Sequence, residues 1–237
     1  MFRLHFIHMI SLLFEIQFPS LTILQNSVNP AALVHMLNYL KIVNLQAPVG
    51  PSLSLSVAPG ELVCLTGPSG SGKSLLLRAI ADLDAHQGDV WFNNRAAADT
   101  PPPLWRKKIG LLQPTSSWWN DGVADHFEKP EAALPIMEAL DLPKEALEWQ
   151  IYRMSTGEKQ RMSIVRLLSN TPSALLLDEP TANLDPETTK KVESLVLNYQ
   201  QEQKSPVIWV SHDLNQVKRI ADRHMGIEGD QIQELPL

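Results

Sequence analysis

Gly67-Pro68-Ser69-Gly70-Ser71-Gly72-Lys73-Ser74 is the stretch that decides the fold of this chain. It fits the phosphate-loop pattern, Gly, four free positions, Gly-Lys and then Ser or Thr, at every fixed position. The apolar run 61–66 before it reads as a buried strand, and residues 73–83 after it read as a helix. Strand, glycine loop and helix make an anion cradle: the glycines let successive N–H groups converge, and the helix N-terminus adds partial positive charge. Lys73 then reaches the β- and γ-phosphates of a nucleotide and Ser74 takes Mg²⁺. The pattern would arise by chance in roughly one chain in a hundred of this length, so a plain flexible Gly/Ser turn is the weaker reading.

The 237 residues, 44% hydrophobic and 19% charged, suffice for one large or two small domains around a real core. A net charge of −6 gives no basic footprint, so nucleic acid is not an expected partner. Arg106, Lys107 and Lys108 read as a solvated face rather than a contact patch. The single cysteine, Cys64, falls in the strand before the loop, which points to a buried structural thiol and a reducing compartment.

Residues 1–35 read as an N-terminal extension and 36–237 as the domain, with Met36 directly before a first strand at 37–45. Although 1–24 is apolar, His5, His8, Glu15 and Gln17 interrupt the run and Pro19 breaks it, so neither a signal peptide nor a membrane span is expected. Residues 52–57 alternate polar and apolar side chains, the mark of a half-buried antiparallel strand, so a small antiparallel layer precedes the nucleotide core. Strands are also expected at 88–93 and 109–112, with Pro101 to Pro103 as rigid punctuation between them. From about 114 to 156 the texture changes to short helical stretches broken by Pro130, Pro135 and Pro143, a small helical insert. Trp118 and Trp119 open it. Neighbouring side chains point different ways, so at least one indole is exposed, either lying on the surface or serving as a partner's anchor.

Two later apolar strands, 173–177 and 206–211, run into Asp178-Glu179 and His212-Asp213, with helices at 157–170, 186–203 and 214–221 between and after them. This is an α/β layer with a parallel sheet, in which ligands sit beyond the carboxyl ends of the strands. Gln113, Asp178, Glu179 and His212 all fall there. Strand alternation sends the two carboxylates different ways, Asp178 toward Mg²⁺-bound water and Glu179 toward an attacking water as general base. A capping acidic pair is the plainer reading of Asp-Glu alone, but not a hundred residues after a phosphate loop. His212 alone would read as a helix-capping histidine.

Taken together, the loop at 67–74, Gln113, Met154-Ser155-Thr156-Gly157-Glu158-Lys159-Gln160-Arg161, Leu175-Leu176-Leu177-Asp178-Glu179-Pro180, Asn183-Leu184-Asp185 and His212 resemble the ordered motif set of the ABC-type ATPases, from Leu40 to about Gly229. The resemblance implies an α/β phosphate-loop NTPase (RecA-like) core with ATP and Mg²⁺ as cofactors. It implies that Gln113 contacts Mg²⁺ and senses the γ-phosphate, that His212 touches that phosphate, and that Asp185 lies at a subunit boundary. Ser155 and Gly157 would meet ATP held by a second copy, giving a sandwich dimer that ATP closes and hydrolysis opens. Thr156 replaces the family's first signature glycine, no aromatic stands at 45–47 where the adenine is usually stacked, and the segment from Gln113 to Ser155 is short for a transporter ATPase. Within the family the chain most resembles compact bacterial ATP-binding subunits of the iron-export type, through the turn Trp119-Asn120-Asp121-Gly122-Val123-Ala124-Asp125.

The resulting expectation is a cytoplasmic ATPase, peripheral on the inner face of the membrane and driving transport through a separate integral membrane permease subunit. The alternative is a soluble ABC ATPase that serves as an assembly or scaffold factor. A phosphate-loop kinase or GTPase leaves 155–161 and His212 without a role.

Overall fold

The structure, a computed structural model, describes residues 39–229 and 231–237. The expected extension at 1–35 and the reading of its apolar run lie outside the described residues. The first strand, β1 (Leu40–Gln46), pairs antiparallel with β2 (Leu53–Val57), which buries every second side chain as a strand with one wet face must. On its other side β1 pairs with β4 (Gln87–Phe92), which returns as β5 (Arg95–Ala96) through Asn93 and Asn94, both left-handed. A two-residue turn with positive φ at both positions is what a tight hairpin demands. That short return was not anticipated from the sequence.

The strand leading into the phosphate loop, β3 (Leu62–Thr66), is buried at all five positions, and so are β7 (Ala174–Asp178) and β8 (Val207–Val210). Uninterrupted apolar strands need both faces covered. The pleat sends Val63, Leu65, Leu176, Ile208 and Val210 into one core cluster with the antiparallel layer and α1 (Lys73–Ile80). Leu62, Cys64, Leu175, Leu177 and Trp209 face the opposite cluster, which the helices of the insert also join. With β6 (Ile109–Leu112), β9 (Arg223–Glu228) and β10 (Gln231–Leu235) the sheet has six strands in the order β10-β9-β3-β8-β7-β6. All neighbours are parallel except β10, an antiparallel edge.

Helix α1 stops at Ile80, three residues short of the expected end, where Asp82 turns left-handed. Pro102 and Pro103 open α2 (Pro102–Lys108) rather than interrupting the chain, since the first helical turn needs no N–H donors. The insert holds α3 (Pro130–Ala139), and its other expected helices shrink to single 3₁₀ turns at Ala124–His126 and Lys144–Glu148. The chain then runs through α4 (Thr156–Ser169), α5 (Pro186–Gln203) and α6 (Leu214–Ile220). Among the described residues no helix is long and apolar enough to cross a membrane.

Leu176 is fully buried at the centre of the sheet. Leu176→Ala is expected to lower the unfolding free energy by about 2–5 kcal/mol through lost burial and the cavity left behind. Urea denaturation should show a lower midpoint with the slope unchanged.

Candidate nucleotide site

Residues 67–72 join β3 to α1 through three glycines, each with positive φ. Gly70 and Gly72 have φ of 78° and 94°, and a Cβ on Gly72 would lie 2.6 Å from the carbonyl oxygen of Val49. Pro68, Ser69, Gly70 and Ser74 are exposed, whereas Lys73 is buried. The Lys73 ammonium donates to the carbonyls of Gly67 and Pro68, at 2.9 and 2.8 Å, and burial lowers its pKa. Ser71 Oγ is buried in the same loop without a hydrogen-bond partner. An inward ammonium and an orphaned hydroxyl in a loop with left-handed glycines suit phosphate oxygens.

Sheet register brings the other groups to this edge. Leu65 and Asp178 are both level with Val210, and Leu112 is level with Leu177, which puts Gln113 abreast of Asp178. The Ser74 hydroxyl faces Asp178, so the first turn of α1 and the end of β7 meet at this edge. Burial raises the Asp178 pKa, the Ser74 hydroxyl opposes that shift, and the Glu179 charge adds to it. A hydroxyl, a carboxylate and an amide are hard oxygen donors of the kind Mg²⁺ takes together with phosphate and water.

Glu179 parts from Asp178 by a different route from the one expected. The strand ends at Asp178 and Glu179 turns left-handed, with φ 48°, so backbone geometry and not pleat alternation separates the two carboxylates. A glutamate in that region costs on the order of 1–3 kcal/mol and persists only where its surroundings enforce it. Its N–H donates to Val210 and its carboxylate lies 2.9 Å from Nε2 of His212.

Ser155 caps α4, its hydroxyl accepting from the Glu158 N–H and donating to the Glu158 carboxylate, which also accepts from the Ser155 N–H. That bonding lowers the Glu158 pKa. Thr156 is the first helical residue and does not have a positive φ, so no glycine is required there. Gly157 also lies in the helix, and a Cβ on it would approach nothing nearer than 3.8 Å, so the protomer itself does not require this glycine. Asp185 caps α5, accepting from the N–H groups of Glu187 and Thr188 and from the Thr188 hydroxyl, which depresses its pKa. At 45–47, where the family's adenine-stacking aromatic would stand, Leu45 and Ala47 are buried, and it is the backbone of exposed Val49 that passes against Gly72 of the phosphate loop.

Trp118 is half-buried against the insert core and Trp119 is 67% exposed. The Arg166 guanidinium lies over both rings, at 4.4 and 5.0 Å, and His126 Nε2 accepts from the N–H groups of Trp119 and Asn120. No local pattern announces this clamp, because Arg166 is far along the chain. Beside it opens a groove of about 730 Å³ that also includes Gln113.

Fold and site together define a phosphate-loop nucleoside triphosphatase. The ABC transporter family model matches residues 51–182, and the chain belongs to that family; it is an ATP-binding, ATP-hydrolysing subunit of the ABC type. It is 33% identical over 177 residues to the probable iron export ATP-binding protein FetA of Escherichia coli, covering 70% of this chain and 79% of that protein. It is 36% identical over 183 residues to the aliphatic sulfonates import ATP-binding protein SsuB of Granulibacter bethesdensis, covering 76% of this chain and 74% of that one. Among solved structures, a dimeric post-hydrolysis state of the ATP-binding cassette MJ0796 bound to ADP and Pi superposes with TM-score 0.73 at 26% identity, covering 84% of this chain and 99% of that one.

Burial of Asp178 has a consequence for stability. A carboxyl whose folded pKa is raised destabilises the fold once ionised, and the penalty disappears as pH falls through the folded value toward the ordinary range. In EDTA and without nucleotide, Asp178→Asn is therefore expected to melt above the parent at pH 7, with the gap narrowing toward pH 4. Calorimetry across that range checks it.

Proposed function

We propose that the chain powers transport through a separate membrane-embedded polypeptide by ATP-dependent pairing of two copies on the cytoplasmic face. The observation that carries this reading is Gly157. A helical glycine costs about 1 kcal/mol relative to alanine, and neither its backbone angles nor its neighbours in the protomer call for it. The reason lies outside the chain, in close approach of a group at the capped N-terminus of α4. A phosphate on a second copy's loop fits that end by charge and by the Ser155 hydroxyl.

In this reading the loop from Gly67 to Gly72, with Lys73, binds the ATP phosphates of one copy, and Ser155, Gly157 and Asp185 of the other close over them. Ser74, Gln113 and Asp178 hold Mg²⁺, which neutralises developing charge on the phosphates when bound. Glu179 takes a proton from the attacking water, and His212 orients the Glu179 carboxylate and reaches the γ-phosphate.

The groove beside Gln113 receives a cytoplasmic segment of the membrane subunit. Its walls combine Leu83, Leu104 and exposed Trp119 with Arg106, Lys107 and Arg166. Arg106 and Arg166 donate to main-chain carbonyls of Asp82 and Ser117, which leaves their charge to attract an acidic partner. The names of the relatives, as import and export ATP-binding proteins, support this assignment.

Glu179→Gln is expected to bind ATP yet lose about 10²-fold or more of its turnover, and with ATP to elute as a dimer in size-exclusion chromatography. Adding Ser155→Arg should return it to monomer; equal dimerisation by the double variant would remove α4 from the interface. Trp119→Ala should weaken recovery of the detergent-extracted membrane complex by about 2 kcal/mol in affinity. Full recovery would make Trp119 a surface packing residue, and recovery of no membrane protein even by the parent would favour the soluble assembly role.

A further inference from the structure

The catalytic edge rests on a buried network that the motif set does not include. Asp213 and Gln216 stand three apart at the start of α6, the spacing at which a glutamine folds back onto the cap residue's own N–H. Here the Asp213 N–H donates to Ser211 Oγ instead, and Gln216, 3% exposed, turns inward. Its Oε1 accepts from the Ser211 hydroxyl at 2.8 Å, and its Nε2 donates to Thr181 Oγ1 at 3.0 Å and to the Glu193 carboxylate at 2.8 Å. Glu193 only accepts, which settles which end of the amide faces it. Glu193, 4% exposed, is held in turn by Arg219 through two bonds of 2.9 and 2.7 Å.

Ser211 immediately precedes His212, and Thr181 follows Glu179 by two residues. We infer that Gln216 is a positioning residue for hydrolysis: one amide ties the segment carrying His212 to the segment carrying Glu179 and so maintains their 2.9 Å contact. The strained backbone of Glu179 gives such a brace a purpose beyond the main-chain bonds to Val210 and Ala182. Gln216 acts on the pair through Ser211 and Thr181, the residues its amide bonds. Its removal should therefore lower kcat and leave KM for ATP, set at the phosphate loop, in place.

The inference rests on Glu179 and His212 as the hydrolytic pair, so Glu179→Gln is assayed alongside. In the full-length protein Gln216→Leu, similar in size but without the three bonds, is expected to lose about tenfold in kcat with KM unchanged. Tyr199→Phe, which loses a half-buried bond to Pro172 far from the pair, supplies the control for general destabilisation. Gln216→Glu adds a test that a merely structural residue would fail. Protonated, the new carboxyl can still donate to Glu193; ionised, it faces a like charge, so its kcat relative to the parent should fall as pH rises from 6 to 8. A Gln216→Leu kcat equal to the parent's or matched by Tyr199→Phe, or a Gln216→Glu ratio flat across that range, overturns the positioning role. Retention of full turnover by Glu179→Gln would instead overturn the pair on which it rests.

Discussion

The parallel register of β3, β8, β7 and β6 is the constraint from which the site follows. Hydrogen-bonded pairing puts Leu65, Val210 and Asp178 on one line, and each chain then leaves the sheet at nearly the same height. A one-residue slip in any strand would exchange its buried faces as well as its terminal residue. The two core clusters therefore enforce the chemistry: Leu175 and Leu177 must face one and Leu176 the other, and Asp178 has no freedom to move along the sheet.

That rigidity permits local arrangements that would not survive alone. Asp178 is ionisable and buried, Glu179 has a backbone conformation that suits glycine, and both depend on neighbours brought from elsewhere in the chain. Stability given up at the strand end is recovered in the apolar layers on either side. Such a division between a strained edge and a well-packed interior is common where groups must be held ready for charge that develops only in the reaction.

Much of this was legible because it is local. Eight consecutive residues carry the phosphate loop, and the strands before Asp178 and His212 announce themselves as short apolar runs ending in polar groups. The residues that eluded reading depend on distant partners. β9 mixes Arg223, His224 and Glu228 with apolar residues, and its buried His224 is explained by Thr66, whose hydroxyl lies 2.8 Å from Nε2, and by the Pro236 carbonyl 3.3 Å from Nδ1. The left-handed turn of Glu179 has no signature in a glutamate followed by proline. Thr156 looked like a geometric departure, yet a first helical residue accommodates it without strain.

The bonds of Lys73 to the carbonyls of Gly67 and Pro68 bear on kinetics. The ammonium acts as a stand-in guest, filling its own cradle and holding the loop in the curvature a phosphate chain needs. Under the proposed function, nucleotide arrival would exchange the acceptors of one lysine in a loop already shaped, so little loop entropy would be lost on binding.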